Sequence, residues 1–142
     1  MFGPDVFLAV PVLAASVAVG LIAHEYAHAF VLRLAGVAYT VEYFPDRGDS
    51  VVTTLASCRW ARVNPRPIGT EPPWVLRVAA LMPLALAVPV FVSGLAGTIP
   101  FGDRPVTTAA TIGWLACGIP SPQDFSVAFY AHRVLEESTD GE

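Results

Sequence analysis

The chain has 142 residues, 54% of them hydrophobic and 14% charged, with a formal net charge of −4. That length suits one domain, and the apolar residues stand in long runs, which favours contact with lipid over an ordinary soluble core. All eight basic residues are arginine, and with an acidic excess nothing in the composition points to a nucleic-acid partner.

Val6 to Ala23 is an eighteen-residue run without charge, just long enough for a membrane helix. The helical pattern continues through "HEYAHAFVLRLA" to Gly36, a plausible C-cap, so a helix is predicted over 5–35. The first residues lack a basic n-region and a small-residue cleavage site, and the segment reads as a retained helix, not a signal peptide. A helix of that length reaches roughly 45 Å, more than the roughly 30 Å hydrocarbon core. His24 and His28 then fall inside the membrane near its far side.

Residues 37–73 change character. In "VAYTVEYFPDRGDSVVTTLAS", β-branched and aromatic residues flank the turn signal "PDRGD", which predicts a small β-hairpin with strands within 37–44 and 50–56. "CRWARVNPRPIGTEPP" carries three arginines and four prolines and is expected to be an irregular, solvent-facing connection. Cys58 and Cys117 are far apart and form no CxxC pair, so neither a disulfide framework nor a zinc knuckle is expected.

A second apolar helix is predicted over 74–99, with Pro83, Pro89, Gly94 and Gly97 inside it, and a third over 105–119. A short C-terminal helix follows over 122–137, where "SPQD" has the form of a capping box with Ser121 at N-cap, Pro122 at N1 and Asp124 at N3. The expected fold is an all-α membrane protein of about three transmembrane helices with a small β-hairpin after the first, as a single membrane-embedded domain over 1–142. Arg47, Arg59, Arg62 and Arg66 crowd the first loop, flanked by Arg33 and Arg77, whereas the next loop has only Arg104. That asymmetry predicts a multi-pass cell-membrane protein with its N-terminus outside and its C-terminus cytoplasmic.

The chemistry concentrates in "LIAHEYAHAF", residues 21–30. Positions i and i+4 of a helix differ by about 40° in azimuth and 6 Å in height, so His24 and His28 can offer imidazoles to one ion. This is the HExxH pattern, in which two neutral imidazoles suit zinc and Glu25 is placed to deprotonate an attacking water. A solvated helix can carry such a pattern by chance, but ionisable side chains beside an apolar span are costly and functional by default. A catalytic zinc needs a third protein ligand. Asp124 follows the third span on the same inferred side as the histidines and is the first candidate, with His132 on the last helix as the second. The capping role of Asp124 and a ligand role do not exclude each other.

"AHEYAHAF" on a first membrane helix, a loop with strand character, a second span, and a third ending in a proline-flanked aspartate together resemble the site-2 protease family of intramembrane zinc metalloproteases. The resemblance covers nearly the whole chain as architecture, with HExxH as its strong motif. It implies a zinc-dependent endopeptidase that hydrolyses membrane-embedded protein or peptide substrates, with His24, His28 and Asp124 holding Zn2+ and Glu25 as catalytic base. The chain departs from the family's leucine-aspartate-glycine motif, which is here "QDF", and resembles a minimal, divergent member. The alternative expectation is a catalytically inactive, protease-like membrane protein that binds metal or partner helices. An exposed hairpin edge at 37–44 or 50–56 can pair with an unwound substrate, or can simply be a membrane-surface loop.

Overall fold

The computed structural model describes residues 4–43, 61–68, 71–98 and 104–139. The "PDRGD" turn, the expected strand at 50–56 and Cys58 lie outside the described residues. The described chain is mostly helical with one small antiparallel sheet: α1 (Pro4–Leu34), β1 (Ala38–Tyr43), β2 (Ala61–Arg66), α2 (Pro73–Leu81), a 3₁₀ segment (Met82–Ala87), α3 (Val88–Leu95), α4 (Pro105–Cys117) and α5 (Pro122–Thr139). By length and composition two helical stretches are long and apolar enough to cross a membrane, Asp5–Leu34 and Pro73–Leu95. The expected third span is shorter. Its helix α4 has 13 residues and rises about 20 Å, less than the roughly 30 Å of a hydrocarbon core.

By internal contacts the chain divides into two compact units, Met1–His24 with Pro83–Ile119, and Glu25–Met82 with Pro120–Glu142. In the first, α1 packs on α4 along a stripe of small residues. Ser16 Oγ donates to Ala110 O at 2.6 Å, and a Cβ built on Gly20 would stand 2.8 Å from both Cβ and Sγ of Cys117. Small residues on facing helices let backbones approach closely, which brings carbonyls within reach of side chains from the other helix. The 3₁₀ segment replaces the continuous second helix expected over 74–99. Pro83, inside the segment, lacks the N–H that an α-helical ladder needs, while Pro89 falls in the first turn of α3, where a missing N–H breaks no intrahelical bond. Trp114 Nε1–H gives one carbonyl of the segment, Leu86 O, a partner at 2.8 Å.

The second unit has its own apolar core of Leu32, Val37, Val75, Leu76, Ala79, Ala131 and Leu135. Leu76 and Ala131 are 1% and 0% exposed, and α2 packs along α5 around them. Helix α1 ends where the sequence predicts. Gly36 has φ +72°, its N–H donates to Arg33 O, and Val37 N–H donates to Leu32 O. This is a Schellman cap, and it delivers Val37 against Leu32 as the chain turns into β1. Strands β1 and β2 pair antiparallel with Val41 opposite Val63 and Tyr39 opposite Pro65.

Strand β2 corrects the reading of 58–73 as irregular. Residues 61–66 form the partner of β1 in spite of Pro65, because Val63 turns its N–H away from β1 and strand alternation puts residue 65 in the same outward row. A proline there removes no ladder bond. Helix α5 runs past the expected end at 137 and is interrupted by non-helical backbone at Tyr130.

Candidate metal centre

The α-helical periodicity of α1 sets His24 and His28 one above the other on one face, four residues apart on a continuous helix. Both are buried, at 8% and 9% exposure. Each turns its Nδ1 to a main-chain carbonyl, His24 to Cys117 O at 2.7 Å and His28 to Ala79 O at 2.8 Å. A carbonyl only accepts, so Nδ1 carries a proton in both rings, and Nε2 is the nitrogen left to face a ligand. Metal-ligating histidines are held in this way in general, with the distal N–H given to a carbonyl or carboxylate that fixes ring and tautomer.

Asp124 is presented by the start of α5. Ser121 N–H donates to Asp124 Oδ2 at 2.6 Å, and Asp124 N–H donates to Ser121 Oγ at 3.2 Å. These are the reciprocal bonds of the predicted capping box, with Pro122 as the first helical residue. The second carboxylate oxygen has a different use. Asp124 Oδ1 lies 3.3 Å from His28 Nε2.

Ligand atoms of His24, His28 and Asp124 all lie within 4.8 Å of one another, so the buried His-His-Asp group can hold a metal ion. The donor chemistry fits. Two ligands of one tetrahedral ion at about 2.1 Å each stand about 3.4 Å apart, close to the His28–Asp124 separation. An imidazolium–carboxylate pair also accommodates 3.3 Å, and metal titration separates the two states. Two imidazoles and a carboxylate suit zinc and also the iron of 2-His-1-carboxylate sites, so geometry alone does not select the metal.

Glu25 follows His24 directly and is half-buried, and its Oε2 accepts the N–H of Val63 at 2.9 Å. His132 is exposed on α5 and is not in the His24–His28–Asp124 group. The supporting groups, the carbonyls of Ala79 and Cys117 and the amide of Val63, carry no mark in the sequence. All are main-chain atoms, so no residue type marks them. Gly20, whose missing Cβ admits Cys117, is a residue whose type bears on one of them. No family model, curated protein or solved structure matches the chain.

Proposed function

We propose that this protein is a membrane-embedded zinc endopeptidase of the site-2 protease type, acting on peptide bonds of membrane-embedded substrates. The observation that carries the reading is the His24–His28–Asp124 group, whose two buried histidines stand with Glu25 on a helix long and apolar enough to cross a membrane. Only 6% of the apolar window of that helix is buried, and Phe7, Val10, Tyr26 and Phe30 are exposed along it. Lipid is the solvent that makes such a surface stable. The arginines of the first loop favour a multi-pass topology with that loop cytoplasmic.

His24 and His28 through Nε2, and Asp124 through Oδ1, would hold the zinc. When bound, zinc supplies Lewis-acid polarisation of the scissile carbonyl and makes a coordinated water acidic. The chain's own part is proton transfer and orientation. Glu25 accepts a proton from the attacking water and returns it to the leaving amine. Ala79 O and Cys117 O keep the imidazoles in the ligating tautomer, and the capping bonds of Ser121 hold the Asp124 carboxylate.

The test is cleavage of a fluorogenic transmembrane peptide by purified protein in liposomes, with Glu25→Gln as comparison. The expected result is zinc-dependent hydrolysis by wild type and at least about a hundredfold loss in the variant, which still carries metal. Metal binding without cleavage of any membrane peptide would overturn the protease reading in favour of a non-catalytic metal-binding membrane protein.

A further inference from the structure

Glu25 is a charged side chain beside the candidate ligands, and its orientation decides whether it can exchange a proton there. We infer that the backbone amide of Val63 is a positioning group for Glu25, so that the β1–β2 ribbon, in its observed register, aims the carboxylate. The inference rests on the proposed role of Glu25 as the proton-transfer group.

The geometry has three parts. Val63 N–H donates to Glu25 Oε2 at 2.9 Å, a charge-assisted bond that holds one carboxylate oxygen at a fixed point. Val63 lies opposite Val41 in the ladder, and its N–H faces outward, so residues 61, 63 and 65 form the outer row of β2. Position 65 in that row is proline, so a two-residue slip that brings Pro65 opposite Glu25 puts a residue with no N–H there. The Val63 side chain packs against the Leu32–Leu76–Leu135 core, which anchors the strand. The amide is therefore offered from a fixed strand in a specified register.

A general base must meet its proton within hydrogen-bond reach, and a carboxylate already held pays less ordering cost at the moment of reaction. The ribbon and the chemistry are thereby coupled: moving β2 moves the hydrogen-bond partner of Glu25.

Two measurements on the full chain in detergent test this. The first is hydrogen exchange of the residue-63 amide followed by NMR. That amide should exchange slowly in wild type and in Val63→Ala, which keeps the N–H, and at least about tenfold faster in Glu25→Ala. The second is Val63→Pro, which removes the donor at an outward position where no ladder bond is lost. It should retain about one metal per chain and KM within about twofold, with kcat at least about tenfold lower. Unchanged exchange in Glu25→Ala, or wild-type kcat in metal-loaded Val63→Pro, would overturn the inference. If wild type cleaves nothing, the protease reading fails by itself, and the exchange measurement still decides whether Val63 holds Glu25. If Val63→Pro loses its metal, exchange likewise decides.

Discussion

Ser121 and Asp124 are tied by two reciprocal bonds, and that tie leaves Asp124 one oxygen for each of two tasks. Oδ2 accepts Ser121 N–H at 2.6 Å and closes the first turn of α5, while Oδ1 stands 3.3 Å from His28 Nε2. A helix cap is thus also the orienting element of a candidate metal ligand. Replacing Ser121 by Ala removes the hydroxyl acceptor of Asp124 N–H, and the lost cap costs about 1 kcal/mol. Metal affinity should fall by about tenfold, as for other groups that orient ligands. Competition with a chromophoric chelator measures the affinity, and an unchanged value would separate the cap from the site.

The close approach at Gly20 supports His24 from the neighbouring helix. An added Cβ would stand 2.8 Å from Cys117 Cβ, and Cys117 O is the acceptor of His24 Nδ1–H. Gly20→Ala should therefore destabilise the fold by about 1–3 kcal/mol, the usual cost of overpacking, and weaken metal binding with it. Thermal unfolding with and without added zinc reads both effects. Stability and affinity equal to wild type would contradict the packing account.

Leu76, 1% exposed at the centre of the second unit's core, carries packing and no chemistry. Leu76→Ala should cost about 2–5 kcal/mol while leaving metal stoichiometry intact in the folded fraction. Denaturant unfolding in mild detergent checks the first statement and metal analysis of the folded fraction the second.

Chelation should lower the unfolding temperature and resupplied zinc should restore it, because an ion bound only by the folded chain stabilises it by mass action. The shift should vanish in His28→Ala. A shift of the same size in that variant would assign the stabilising ion to another site.

Much of this arrangement was legible in the sequence where local chemistry decides structure. The run from Val6 and the glycine at 36 marked α1 and its cap, and "SPQD" marked the start of α5, because capping and turn preferences act within a few residues. Strand β2 was not legible. Arg62 and Pro65 disguise "ARVNPR", and its strand character depends on pairing with β1 some twenty residues earlier, which no local pattern records. The 3₁₀ segment at Met82–Ala87 likewise depends on how two prolines in an apolar run are accommodated by packing. At the site, HExxH proposed His24, Glu25 and His28 outright, whereas Asp124 needed topology and His132 stood beside it as a rival. The structure brings Asp124, and not His132, into the histidine group.

A metal held by residues from two distant parts of the chain can be counted, and elemental analysis of detergent-purified protein after zinc resupply counts it. About one zinc per chain is expected in wild type and Glu25→Gln, with the metal lost in His24→Ala and Asp124→Ala and kept in His132→Ala. Wild type without zinc after resupply would rule out the His24–His28–Asp124 site, as would full zinc occupancy in Asp124→Ala.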